Sequence, residues 1–231
     1  MSDDNSIPTH VGFILDGNRR WAKQQSLPSL EGHRQGAEVF KKIALATFDR
    51  GVQYVSAYVF STENWSRTKE EVKYLMGLVV KATDTYLNDF HEKGIKIVIL
   101  GKREGLDEKV VAAIEKTEQK TAMNTNGTLA LCFNYGGKDE IIEATKQLIA
   151  SNIAADDITE EMFSEYVYGP DVPPIDLLIR TSGEQRLSGF MLWRAAYAEL
   201  LFTDTFWPAY TSDELESNLL EFANRQRRFG G

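Results

Sequence analysis

Cysteine is almost missing from this chain: Cys132 is the single one in 231 residues. An internal disulfide is therefore excluded, and a reducing cytoplasm is the expected home. Long hydrophobic runs are missing too, since none approaches the roughly 18 residues that a membrane-spanning helix needs. The opening Met1-Ser2-Asp3-Asp4-Asn5-Ser6 has neither the basic start nor the apolar stretch of a signal peptide. Histidine is scarce, with three in all, and no Cys/His pair has the spacing of a zinc site. No Pro/Gly/Ser-rich linker, repeat or low-complexity segment divides the chain, so residues 1–231 are expected to form one domain, with 1–8 flexible. Positive charge is in deficit, 26 Lys+Arg against 34 Asp+Glu for a net −8. As a global sum that argues against nucleic acid and other anionic partners.

The cations that are present are unevenly placed. No lysine follows Lys146, and from there on every cation is an arginine: Arg180, Arg186, Arg194, Arg225, Arg227 and Arg228. Guanidinium is planar, permanently charged and able to hold oxyanions two oxygens at a time. The acidic surplus lies on stretches such as Asp156 to Glu165, where it serves solubility.

Strand and helix patterns alternate along the chain. Apolar strands are expected at His10–Leu15, Val52–Phe60, Ile95–Leu100, Thr128–Phe133 and Ile175–Ile179, with a last short one at Glu199–Thr203. Helical spacing of apolar residues marks Gly36–Phe48, Lys69–Glu92, Leu106–Ala122, Lys138–Ala150, Thr159–Tyr168 and Ser212 to about Arg227. Near-continuous apolar strands separated by helices predict an α/β domain with a mostly parallel sheet covered on both faces.

In such sheets ligands collect at the carboxyl ends of the strands. Those ends carry Asp16-Gly17-Asn18-Arg19-Arg20-Trp21, Ser61-Thr62-Glu63-Asn64-Trp65-Ser66-Arg67, Asn134-Tyr135-Gly136-Gly137 and Arg180 to Ser188. An aspartate at a strand end can ligate a hard cation, and the helix that follows can offer free N–H groups to an anion. An N-capping Asp16 with two solvated arginines explains the same residues equally well. Arg180, Arg186 and Ser188 flank a loop able to wrap a diphosphate. Glu199 is a lone carboxylate in an apolar stretch and needs either a metal or an arginine partner. His33, between Gly32 and Gly36 and just ahead of a helix, is a candidate phosphate donor or proton carrier. A phosphatase built on a strand-end aspartate wants a second Asp where Asn18 stands, hydrolases want an elbow motif, and Asn134-Tyr135-Gly136-Gly137 is a poor dinucleotide fingerprint.

Five motifs in order carry a specific resemblance: Asp16-Gly17-Asn18-Arg19-Arg20-Trp21-Ala22, Gly32-His33-Arg34-Gln35-Gly36, Phe60-Ser61-Thr62-Glu63-Asn64-Trp65, Asp176 to Arg186, and Tyr197-Ala198-Glu199-Leu200. From His10 to Gly230 the chain resembles the cis-prenyltransferases. The resemblance implies a homodimer with a hydrophobic product tunnel, lined by stripes such as that of Lys69–Glu92. It would add isopentenyl diphosphate, in cis, to an allylic diphosphate such as farnesyl diphosphate. A long-chain polyprenyl diphosphate is the implied product, undecaprenyl diphosphate as a lipid carrier for cell-wall glycan synthesis. It further implies that Asp16 and Asn64 are catalytic, and that Mg²⁺ is held by Asp16 and Glu199. Gly17, Asn18, Arg19, Arg20 and Trp21 would hold the allylic diphosphate. Arg180, Arg186 and Ser188 would hold isopentenyl diphosphate, while His33, Ser61, Glu63, Trp65 and Arg67 complete the rim. Arg228 and Gly230 would reach the partner subunit's isopentenyl site, and transient membrane contact would accompany product release.

The chain departs from the family pattern at Ser29, where an arginine is usual, and at Gly189 and Arg194, where Asn and Gln are common. Val59 and Gly127 fall at expected tunnel positions. A catalytically silent accessory subunit and a synthase of shorter products are the alternatives, and retention of Asp16, Arg180, Arg186 and Glu199 together favours an active enzyme.

Overall fold

Strand β1 (His10–Ile14) is buried along its whole length and alternates strictly. Val11 and Phe13 enter one core with Ile43, Leu87 and Trp207, while Ile14 enters the opposite one with Leu178 and Phe190. A strand that packs apolar side chains on both faces must lie inside a covered sheet. The computed structural model, which describes residues 7–225, places β1 there. Around it stand β2 (Tyr54–Ser61), β3 (Ile95–Leu100), β4 (Gly127–Tyr135), β5 (Leu177–Arg180) and β6 (Glu199–Phe202), in the spatial order β3-β4-β2-β1-β5-β6. Every neighbouring pair is parallel. The helices are α1 (Asn18–Gln24), α2 (Ser29–Asp49), α3 (Lys69–Glu92), α4 (Glu108–Thr121), α5 (Gly137–Ala150), α6 (Glu160–Ser164) and α7 (Ser212–Asn224). The result is the single α/β domain expected from the alternating pattern, with a six-stranded parallel sheet flanked by helices.

Two helix boundaries differ from the sequence reading. Helix α2 begins at Ser29 rather than Gly36, so the Gly32-His33-Arg34-Gln35-Gly36 motif lies inside the helix instead of ahead of it. The two glycines are there for close approach. A Cβ on Gly32 would sit 2.0 Å from the Asn18 carbonyl oxygen, and one on Gly36 would sit 2.3 Å from Asn18 Oδ1. Helix α6 stops at Ser164, well before Tyr168, although Thr159 caps it as anticipated by accepting from the Met162 N–H. Of the residues expected to be flexible at the start, only Ile7 and Pro8 are described, and Pro8 is buried.

An ion pair lies in the second core. Arg194 Nη1 donates to Glu140 Oε1 at 3.1 Å, and Tyr135 Oη donates to Glu140 Oε2 at 2.5 Å. The rest of the guanidinium donates to the carbonyls of Val172, Tyr168 and Gly169. With so many bonds the buried charge is satisfied. Arg194 is therefore structural and not part of the arginine-bearing rim. No helix among the described residues is long and apolar enough to cross a membrane.

Candidate active site

The strand order reverses direction at β1, whose neighbours β2 and β5 lead to opposite edges of the sheet. Ligands in open α/β sheets bind at such switch points, outside the carboxyl ends of the strands. Ile14 of β1 registers with Arg180 of β5, so the residues just beyond them converge. Arg180 Nη2 donates to Asp16 Oδ2 at 2.9 Å, and Arg180 Nη1 donates to Ser188 Oγ at 2.8 Å and to the Arg186 carbonyl oxygen. The Arg180 side chain is only 4% exposed, and its buried Nε–H has no hydrogen-bond partner among the described residues.

Asp16 is the hub of this rim. Its Oδ1 accepts the Gly17 N–H at 2.7 Å and lies 3.2 Å from Arg20 Nη2. Burial alone would resist ionisation of this carboxyl. The hydrogen bond and charge of Arg180, with Arg20 and the Gly17 N–H, outweigh it and hold the pKa below the ordinary carboxylate value. Asp16 is not a helix cap, because α1 is entered through Gly17 at φ +104° with no side-chain cap. A residue with a Cβ would be strained there and would press on Phe206. Arg20 is fixed by Ser182 Oγ at 2.6 Å and by Glu184 Oε1 at 3.1 Å, and lies over the Phe206 ring.

A second group of charges gathers around Glu71. Glu71, on the first turn of α3, is 9% exposed and collects three partners. His33 Nε2 lies 3.2 Å from its Oε1, Arg67 Nη1 donates to the same oxygen at 3.0 Å, and Arg19 Nη1 lies 3.8 Å from Oε2. Burial lowers the His33 pKa from its usual 6.5, with Arg67 and Arg19 acting in the same direction and Glu71 opposing. Asn64 sits in the 3₁₀ turn after β2, where its Oδ1 accepts the Ser61 N–H at 3.2 Å. The Trp65 indole donates to Asn134 Oδ1 at 2.8 Å and packs edge-on against Phe60. Glu63 is exposed and Trp21 is half-buried.

Asp16, Asn18, His33, Asn64, Arg180 and Ser188 all line one cavity of about 380 Å³. Away from the rim its wall is apolar, with Leu75, Val79, Leu87, Ile97, Leu129 and Phe133. Leu129 registers with Val55 near the start of β2, so the cavity reaches toward the opposite end of the sheet. Val59 lines it as anticipated. Gly127 instead packs on Phe48, which a Cβ would meet at 2.8 Å.

One expectation needs correction within one chain. Glu199 does not join Asp16: it opens β6 and registers with Leu177, at the end of the sheet away from Arg180. There it takes the arginine partner weighed for it, since Arg225 Nη1 donates to Glu199 Oε2 at 2.9 Å. Arg186 contributes its carbonyl to the rim, while its guanidinium is 60% exposed and paired with Glu184. Arg228 and Gly230 lie outside the described residues. Sequence reasoning missed Glu71 and Ser182. Glu71 was findable, because it stands one helical turn after Arg67, the spacing at which charged pairs meet.

A prenyltransferase family model, undecaprenyl diphosphate synthase, matches residues 14–230. This chain belongs to that family. The isoprenyl transferase of Thermotoga maritima is 44% identical over 227 residues, covering 97% of each chain. The ditrans,polycis-undecaprenyl-diphosphate synthase of Micrococcus luteus, specific for (2E,6E)-farnesyl diphosphate, is also 44% identical, over 97% of this chain and 92% of its own. Among solved structures, lavandulyl diphosphate synthase from Lavandula x intermedia, in complex with dimethylallyl diphosphate, superposes with a TM-score of 0.95 at 30% identity, covering 99% of this chain and 100% of that one. The rim of Asp16 and Arg180 in this prenyltransferase-family chain thus lies on a cis-prenyltransferase fold.

Proposed function

We propose that the chain condenses isopentenyl diphosphate, in cis, with an allylic diphosphate starter, farnesyl diphosphate first among them, and repeats the addition to give a long-chain polyprenyl diphosphate. The observation that carries this reading is the ionised Asp16 and buried Arg180 side by side at the mouth of a deep apolar cavity. One end suits a diphosphate and the other a hydrocarbon. Arg180, Ser188 and the exposed Arg186 hold the isopentenyl diphosphate. Arg20, with the uncapped N–H groups of α1, holds the allylic one. In the transition state negative charge grows on the departing allylic diphosphate, and fixed guanidinium groups stabilise it there. The cavity wall excludes water from the allylic cation while the isopentenyl double bond attacks.

Mg²⁺ belongs to this reading. A hard cation of that size is commonly held by one or two carboxylates together with substrate phosphate oxygens, and the ionised, partly exposed Asp16 fits such a single-carboxylate contact. No group of three acidic, His or Cys side chains that could hold a metal exists among the described residues. The ion would supply further neutralisation of the leaving diphosphate. Glu199 contributes to such a site only across a dimer, in which Arg228 and Gly230 also serve. The long product belongs in a membrane, so release involves transient contact with a lipid surface.

A second reading, a shorter product, is favoured by the cavity itself. About 380 Å³ is near the lower end of ordinary small-molecule pockets, small for a hydrocarbon of eleven isoprene units. Labelled isopentenyl diphosphate with farnesyl diphosphate and Mg²⁺, with the products resolved by length, separates the readings. Extended chains support elongation, and early termination selects the shorter-product reading. No incorporation refutes the synthase and leaves a silent binding subunit. Addition of EDTA should stop turnover and excess Mg²⁺ restore it.

A further inference from the structure

Part of the cavity mouth stands on a loop, and a loop needs something to fix its height. Asn64 and Arg67 line the cavity from the 3₁₀ turn Thr62–Ser66 and the residue that follows it, between β2 and α3. Trp65 is the one apolar residue of that turn, and it is exposed and absent from the cavity lining. Its indole packs edge-on against the buried Phe60 and donates its Nε1–H to Asn134 Oδ1 at 2.8 Å. A ring held at both ends and directed away from the cavity acts as a strut.

Asn134 is shaped to receive it. β2 and β4 run in register from Tyr54 and Thr128 to Tyr58 and Cys132. After one shift Phe60 faces Phe133, and after a second Ser61 faces Tyr135, so Asn134 has no partner on β2. β3 has already ended, with Leu100 opposite Cys132. Asn134 is therefore the extra residue of a bulge, at φ +49°, a left-handed backbone that asparagine adopts more readily than most side chains. Bulges beside functional sites aim a side chain where the regular pleat would not.

The Asn134 side chain is buried, and both of its polar atoms are engaged. Oδ1 accepts from Trp65, while Nδ2 donates to the carbonyls of Lys102 at 3.0 Å and Glu104 at 3.2 Å. An indole only donates and carbonyls only accept, so the amide has one orientation. The backbone around it is equally tight. A Cβ on Gly101, at φ +131°, would sit 2.1 Å from the Phe133 carbonyl oxygen, and one on Gly136 would sit 2.7 Å from Thr62 Oγ1. The carboxyl ends of β2, β3 and β4 thus meet at one amide.

We propose that Asn134 is a positioning residue for prenyl transfer, which through the Trp65 indole sets where Asn64 and Arg67 stand at the cavity mouth. The inference rests on the prenyl-transfer reading. Asn134 and Trp65 are both absent from the cavity lining, so their influence on the reaction passes through the turn. A displacement of about 1 Å there is enough to cost about 10²-fold in rate.

The test is a double-mutant cycle on saturated single-turnover transfer by the full-length protein with farnesyl diphosphate, isopentenyl diphosphate and Mg²⁺. Asn134→Gly keeps the left-handed backbone and removes the amide. Trp65→Phe keeps a ring against Phe60 and removes the N–H. Each should slow transfer about 10- to 10²-fold, with the KM for isopentenyl diphosphate within about threefold of wild type, a split that loss of folded protein would not give. The double variant should be at most about threefold slower than the slower single one. Effects that multiply would make the two residues independent and overturn the proposal. A wild-type rate in Trp65→Phe would overturn it as well. Should Asn134→Gly fail to fold, Asn134→Asp decides. Its carboxylate keeps the acceptor for the indole, so Trp65→Phe should slow transfer in that background as it does in the wild type, and no slowing there would overturn the strut. If the wild-type chain itself gives no product, the prenyl-transfer reading fails and this inference with it, whereas multiplying effects in an active wild type bear on Asn134 alone.

Discussion

Asp16 Oδ2 and Arg180 Nη2 meet at 2.9 Å across the single point where the strand order of the sheet reverses. The pair joins the first strand to the fifth: the guanidinium helps keep the Asp16 carboxyl ionised, and each side chain aims the other. Removing the carboxylate charge while keeping its shape, by Asp16→Asn, should cut turnover by about 10²-fold or more, as loss of one preorganised electrostatic group does elsewhere. Far-ultraviolet circular dichroism should remain that of the wild type. Incorporation of labelled isopentenyl diphosphate at a near-normal rate would remove Asp16 from its role.

Ser29 is exposed at the first position of α2, where the family resemblance leads one to expect an arginine. Ser29→Arg should lower the KM for the allylic starter by a few-fold, because a further cation near the rim steers and holds a diphosphate. An unchanged KM would show that Arg19 or Arg34 already replaces the missing charge. Arg34 is itself engaged by Glu31 and Glu38, which favours a measurable gain.

Two glycine substitutions should behave oppositely. Gly32→Ala drives a methyl group into the Asn18 carbonyl. It should therefore push α1 off α2, impair activity and lower stability by roughly 1–3 kcal/mol, the usual cost of overpacking. Gly77, exposed in the middle of α3, has nothing within 4 Å of an added Cβ. Gly77→Ala should raise stability by up to about 1 kcal/mol through helix propensity. Urea unfolding of both variants checks the pair, and equal effects would refute the close-approach account of Gly32.

The His10 ring is completely buried, with Nδ1 2.8 Å from the Pro173 carbonyl and Nε2 2.7 Å from Ser56 Oγ. The carbonyl fixes the proton on Nδ1, and Nε2 accepts from the serine. Burial lowers its pKa from 6.5 to about 4. The unfolded chain therefore binds the proton more readily, and folding stability falls as the pH drops from about 6.5 toward 4. The loss should reach roughly 3 kcal/mol. His10→Gln should flatten the dependence of unfolding free energy on pH across that window, and an unaltered slope would exclude His10 as its source.

Much of this molecule is written in local pattern. The strands from His10 to Ile179 and the long α3 helix are legible because buried strands and amphipathic helices leave strong periodicities. The polar strand ends likewise point to one rim. Boundaries set by tertiary contact are harder to read. Nothing local says that Gly32 and Gly36 lie inside a helix, since their reason is the backbone of Asn18 in a different helix. Glu199 misleads for a similar cause. Its apolar neighbours suggest a buried carboxylate and the family resemblance joins it to Asp16 through a shared metal, but parallel register places the beginning of β6 at the far end of the sheet. Glu71 shows the converse, a carboxylate that spacing alone could have tied to Arg67. Its contact with His33 depends on how α2 and α3 cross.

The parallel arrangement also sets an order of events during synthesis. β1 can pair with β2 as soon as Tyr58 has emerged, but its other edge waits for Leu177 to Arg180. At ordinary elongation rates that is a delay of about 6–25 seconds. Through that interval the first strand has one unprotected edge, and the Asp16 carboxylate lacks its guanidinium. The rim proposed to hold the diphosphates is thus among the last parts of the molecule to exist, and a chain released before Arg180 cannot contain it.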